Sequence, residues 1–230
     1  MGGQACVFYG AAEFSRDTDI VIDMSATNLR RLRAALRQLR AEPIAVPPLS
    51  RRWLSKGHAV HFRCHLDDTD GHRLDIMAIL RGVAPFATLW RRRTTVKTAD
   101  GERYDLLAPN DMVAAKKTQR DKDWPMIRRL VEAHYLQFQQ SPSPERIRFW
   151  LLESRTPARL IALAADYPRQ AAQASRKRAL LRLARRGMED DLAKALQEEE
   201  FAERVRDAEY WRPLRLELET FRRRLTRRRT

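Results

Sequence analysis

The sequence predicts an α/β (α+β) fold, a small mixed sheet flanked by helices, followed by an all-helical, basic C-terminal region. Three observations predict it. Asp17-Thr18-Asp19 leads into the apolar run Ile20-Val21-Ile22, which reads as a strand. Residues 59–66 and 72–80 alternate apolar and polar side chains around Asp67-Asp68-Thr69-Asp70-Gly71, the pattern of a β-hairpin. Beyond residue 107 apolar residues recur at helical spacing, broken only by prolines and one glycine-led turn.

In chain order, a helix starts at Gly3 and a strand covers residues 19–24. A helix over 27–40 repeats Leu29, Leu32, Leu36 and Leu39 with Arg30, Arg31, Arg33 and Arg37 between them, so it packs by one face. Residues 43–57, with three prolines and Trp53, read as a loop. In the hairpin, Val60, Phe62, Cys64 and Leu66 share one face and His61, Arg63 and His65 the other; the second strand buries Leu74, Ile76, Ala78 and Leu80 and carries Asp75. Arg63 is expected opposite Asp75, where it can act as a counter-ion. A second hairpin spans 94–107 around Asp100-Gly101. Asn110 is expected to cap a helix bearing Met112, Val113, Ala115 and Lys116, and Asp123 to cap the next, with Trp124-Pro125 in its first turn. Ser141-Pro142-Ser143-Pro144 marks a boundary between residues 1–140 and 141–230. Helical stretches follow at 145–165, 169–186 and 189–224, broken by Thr156-Pro157, Pro168, Gly187 and Pro213.

A net charge of +15 points to a polyanionic partner, most plausibly RNA, because Lys and Arg gain affinity by displacing condensed counterions. An arginine-rich genome background is the simpler reading of the same excess. Against it, Arg222-Arg223-Arg224 and Arg227-Arg228-Arg229 form a block expected to be a disordered or half-helical arm for nucleic acid. The stretch with Arg176, Lys177, Arg178, Arg182, Arg185 and Arg186 reads as a basic amphipathic helix facing RNA, an acidic partner or water. No apolar run reaches membrane-spanning length and no basic leader precedes an apolar stretch, so a cytoplasmic protein without a membrane partner is expected. Cys6 and Cys64 read as reduced core thiols. His58, His61, Cys64 and His65 lack a zinc framework, and no nucleophile-elbow or Walker-type loop occurs.

The chemistry lies in the acids. On a strand beginning at Asp17, Asp17 and Asp19 share a face and suit Mg²⁺, a hard cation held by one or two carboxylates plus substrate phosphates. Gly2-Gly3 offers backbone that a phosphate can approach closely. Asp-Thr-Asp alone also reads as a solvated turn. Asp75, flanked by Leu74, Ile76 and Met77, is costly unless paired or metal-bound. Together these residues point to phosphoryl or nucleotidyl transfer.

The order Gly2-Gly3, Asp17-Thr18-Asp19 before apolar residues, then Asp75 in a later strand resembles the nucleotidyltransferase superfamily of the polymerase β type. It is nearest to bacterial minimal nucleotidyltransferases of the abortive-infection and toxin-antitoxin kind. The segment from Leu107 through Lys116-Lys117 to Arg120 and Lys122-Asp123 is similar to a helix of that family, and the resemblance covers roughly residues 1–140. It implies a nucleotidyltransferase fold with Asp17, Asp19 and Asp75 as catalytic residues and ligands of two Mg²⁺ ions. Gly2, Gly3, Arg16, Lys116 and Arg120 would bind the nucleotide. The implied activity moves an NMP from an NTP such as ATP to an acceptor hydroxyl on RNA, tRNA or protein, as a toxin component with an antitoxin partner. The alternative is a catalytically inactive protein of the same fold that binds RNA or a partner protein. Two departures stand out: family members have an apolar strand before the glycines, so a start upstream of Met1 is expected, and Gln4 stands where a small residue is usual.

Overall fold

The computed structural model describes residues 1–227. It is mixed α/β, with a small mixed sheet, a separate two-stranded hairpin and a long C-terminal helix. The chain divides into two compact units, one of residues 1–8, 12–115 and 208 onward, the other of 9–11 and 116–207. The expected boundary at 140/141 falls in the second unit, in a break between two of its helices.

The first unit is built on β1 (Asp17–Val21), β2 (Glu42–Pro43), β3 (Val60–Arg63) and β4 (Arg73–Met77), in the order β1-β4-β3-β2. β1 runs parallel to β4, and β3 is antiparallel to both of its neighbours, β4 and β2. One face is apolar. Ile22, Val60, Phe62, Ile76 and Ala78 pack with Leu29 and Leu36 of α2 (Ala26–Gln38) and with Leu54. Each of the valine, leucine, isoleucine and phenylalanine side chains contributes about 1.5–3 kcal/mol by leaving water. Ser25 caps α2 by accepting from the Asn28 N–H. The helix ends in a Schellman turn: Arg40 adopts φ 48°, and the Ala41 and Arg40 N–H groups donate to the carbonyls of Leu36 and Arg37.

Several bounds differ from expectation. β1 starts at Asp17 and ends at Val21, earlier at both ends than the predicted 19–24. The proline-rich segment is not all loop: Glu42–Pro43 pairs with β3, and α3 (Arg51–Leu54) forms where Ser50 accepts from the Trp53 N–H. The first helix, α1 (Gly2–Phe8), is seven residues long, and α4 (Phe86–Arg92) precedes β5 (Thr94–Lys97) and β6 (Arg103–Leu106), the second hairpin, which forms its own sheet. α5 (Pro109–Lys116) opens on Pro109, so Asn110 lies inside the first turn instead of capping it. Cys6 and Cys64 are free and buried, and burial pushes the Cys64 thiol up.

The second unit holds α6 (Asp123–Phe138), α7 (Pro144–Glu153), α8 (Pro157–Asp166), α9 (Pro168–Ala174), α10 (Leu181–Ala184) and the start of α11 (Glu189–Arg227). Trp150, Leu151, Leu160, Leu163, Leu181 and Leu192 fill its core. The predicted basic helix is interrupted between α9 and α10, and Arg178 is buried: it donates to Glu199 and to the carbonyls of Leu151 and Ser154. Arg176, Lys177, Arg182, Arg185 and Arg186 are exposed.

Pro213 does not break α11. A proline removes one helical hydrogen bond, here from an exposed stretch. Side chains on both sides of it grip one segment of the first unit: the Tyr210 hydroxyl lies against Gly57, Glu217 binds Lys56 and His58, and Phe221 packs edge-on to Trp53. The tail expected to be an arm continues the helix through Arg227; Arg228 and Arg229 lie outside the described residues.

Candidate active site

The face of the first sheet opposite the apolar core is charged, because alternate residues of each strand point to it. The parallel pairing places Asp19 level with Asp75 and Asp17 level with Arg73, and the antiparallel pairing sets His61 level with Asp75. Two carboxylates of β1, a carboxylate and a guanidinium of β4, and an imidazole of β3 therefore share one surface. The structure thus brings Asp17, Asp19 and Asp75, distant in sequence, onto one face.

Asp75 is 8% exposed. Arg73 grips it with two donors, Nε to Oδ1 and Nη2 to Oδ2, each at 2.8 Å. His61 Nδ1 lies 2.8 Å from Asp75 Oδ1 and 3.1 Å from Arg73 Nη2. Burial pushes the Asp75 carboxyl up, but the hydrogen bonds and charges of His61 and Arg73 outweigh it and hold Asp75 below the usual carboxylate range. Arg73 is raised in turn, first by its hydrogen bond to Asp75 and then, against partial burial, by the charges of Asp75, Asp17 and Asp19. The expected counter-ion, Arg63, instead lies opposite Arg73. The turn is the reason: the 3₁₀ segment Asp67–Thr69 and Gly71 occupy the bend while the Cys64 N–H still donates to His72, so the strands sit two residues away from the expected register.

The glycines press α1 onto β1. Gly2 has φ 71°, and a Cβ there would come within 1.8 Å of Asp19 Oδ2; at Gly3 a Cβ would come within 2.3 Å of Ser15 Oγ. The backbone of Gly2 is thus held against the Asp19 carboxylate, and only glycine fits both the dihedral and the space. The Met1 ammonium donates to the Asp19 carbonyl at 2.7 Å. Ser15 Oγ donates to Asp17, and Gln4 Nε2 donates to the Ser15 carbonyl at 3.3 Å. Arg16 is exposed beside the Phe14 ring.

Lys116 and Arg120 lie in the second unit and share an acceptor. Asp123, fully buried, accepts from Lys116 Nζ at 3.1 Å, Thr118 Oγ1 at 2.5 Å and Arg120 Nε at 2.8 Å. Burial pushes Asp123 up; the Lys116 charge and the other two donors outweigh it and hold the carboxyl low. Asp123 is the first residue of α6 and not its cap. Lys116 is 8% exposed, while the Arg120 side chain is 56% exposed.

Arg73 and His61 are the residues that sequence reasoning missed. The available signal was alternation: Arg73 and His61 stand on the same predicted strand faces as Asp75. Among the described residues, no three His, Cys, Asp or Glu side chains are gathered to hold a metal ion, and no helix is long and apolar enough to cross a membrane. The donor set suits a divalent cation at Asp17 and Asp19, two carboxylates on alternate positions of one strand, while both oxygens of Asp75 are taken by Arg73. No protein-family model matches the chain, and no curated protein matches it.

Proposed function

We propose that the chain is a Mg²⁺-dependent nucleotidyltransferase with a polymerase β type fold. It moves an NMP from an NTP to an acceptor hydroxyl on RNA, tRNA or protein, in the cytoplasm and as a toxin component with an antitoxin partner. One observation carries the reading: Asp17 and Asp19 alternate on a strand whose neighbour sets Asp75 level with Asp19, while Gly2 is pressed against the Asp19 carboxylate.

In this reading the acceptor oxygen attacks the α-phosphorus, the bond to the β-phosphate oxygen breaks, and pyrophosphate leaves. Mg²⁺ bound by Asp17 and Asp19 supplies neutralisation of the triphosphate charge. The Gly2-Gly3 backbone, packed against Asp19 and Ser15, is assigned to phosphate through its N–H groups. Both oxygens of Asp75 already accept from Arg73, so the hydroxyl proton passes to water. Arg16, exposed beside the β1 carboxylates in sequence, is assigned to phosphate; Lys116 and Arg120, in the second unit, are assigned to holding Asp123. The exposed arginines and the net charge of +15 suit an RNA acceptor.

The test is transfer of label from each α-labelled NTP with Mg²⁺ into bacterial RNA and extract protein. The Asp17→Ala, Asp19→Ala double variant should lose all transfer while keeping its thermal midpoint; wild-type transfer from that variant would sink the assignment. The second reading, an inactive protein of this fold that binds RNA or a partner, is favoured by the engagement of both Asp75 oxygens with Arg73. It predicts RNA binding that weakens steeply with salt and needs neither Mg²⁺ nor NTP.

A further inference from the structure

Arg73 lies on the charged face of the sheet beside the three carboxylates. It binds both oxygens of Asp75, stands level with Asp17 on the neighbouring strand, and feels the charge of Asp19. A planar fork bound to both oxygens of one carboxylate is the strongest geometry a guanidinium has. His61, within hydrogen-bond distance of both Asp75 and Arg73, holds the fork in place. A divalent cation joining Asp75 to the β1 carboxylates would have to share Asp75 with that guanidinium, setting two like charges on one carboxylate.

Resting on the nucleotidyltransferase reading, we propose that Arg73 stands in for a second divalent cation at Asp75, so that the site holds one such ion, on Asp17 and Asp19, and not two. Arg73 is then a positioning residue. It holds Asp75 in place with a charge built into the chain, and divalent binding depends on Asp17 and Asp19.

The probe is Mn²⁺ by itself, titrated into the intact chain and counted by the loss of the free-ion electron paramagnetic resonance signal. The wild type should bind about one ion per chain and Arg73→Gln about two, since Asp75 is then released to an oxygen-seeking cation. Arg73→Lys, which keeps the charge, should return to about one. The Asp17→Asn, Asp19→Asn double variant should lose the first ion. Two ions on the wild type, none on the wild type, or one on a folded Arg73→Gln chain would each overturn the proposal. The wild-type count needs no variant to fold. Failure of the underlying reading is separate: the expected counts without nucleotide transfer keep the role of Arg73 and overturn the activity. Transfer with two ions on the wild type does the reverse.

Discussion

Asp75 and Asp123 are both buried carboxylates gripped by basic side chains, yet their surroundings differ in one respect. Asp123 has Lys116, Thr118 and Arg120 to itself: three donors close on one acid that begins a helix. Asp75 has Arg73 and His61, and that arginine also feels the charges of Asp17 and Asp19 on the neighbouring strand. A buried acid whose donors match it locks a turn. A buried acid that stands level with the carboxylates of a neighbouring strand gathers acids on one face of a sheet. The first arrangement is a fastening; the second is the one on which the proposed function rests.

Substitutions can break that contrast. The largest effect on stability is expected from Asp123→Ala, which strands the buried Lys116 ammonium and should cost about 3–5 kcal/mol in urea unfolding. Asp75→Asn should cost less, about 1–3 kcal/mol, because Arg73 is partly exposed and retains a hydrogen-bond acceptor. An equal loss from both substitutions would erase the distinction.

Acid titration sharpens the same contrast. Both carboxyls are held below their ordinary value in the folded chain, so below a pH of about 4 the unfolded chain binds more protons. Their stabilisation is complete above that ordinary value and is lost as pH falls through the lowered folded values. Urea midpoints taken across this range should fall with acid less steeply in Asp75→Asn than in the wild type.

Gly2→Ala should cost about 1–3 kcal/mol, since the added Cβ takes a positive φ and meets the Asp19 Cβ as well as its carboxylate, so backbone must shift. The same shift should abolish nucleotide transfer, which a radiolabel assay reads. Smallest of all, Glu217→Gln removes half-exposed contacts to Lys56 and His58 and should shift stability by about 1 kcal/mol or less, measured by thermal melting.

Much of the charged face was legible in the sequence because strand alternation is a local property. Asp17 and Asp19 had to share a face once β1 began at Asp17, and Asp67 to Gly71 had to turn. The two-residue error at Arg63 preserved every face, since the strand period is two, and misplaced only the partner. The parallel pairing of β1 with β4 was not legible: it joins segments more than fifty residues apart, and no local pattern encodes which strand a strand selects. Asp123 misled for a related reason. An acid before a helix looks like a cap, and its choice of Lys116 instead depends on how the turn between α5 and α6 folds back. Pro213 failed as a breaker because Tyr210, Glu217 and Phe221 hold the helix from both sides.

That return of α11 bears on the order in which the molecule is made. Chains emerge from the ribosome from the N-terminus, and domains usually fold as they appear. Here the sheet that carries the acids is synthesised early, but Trp53 and His58 receive Phe221 and Glu217 only after more than 150 further residues have been translated. A fragment ending near residue 140 would contain every candidate catalytic acid and still lack the last wall of its own unit. Completion of the first unit is thereby tied to synthesis of α11, and a nascent chain that stops short of that helix carries an unfinished one.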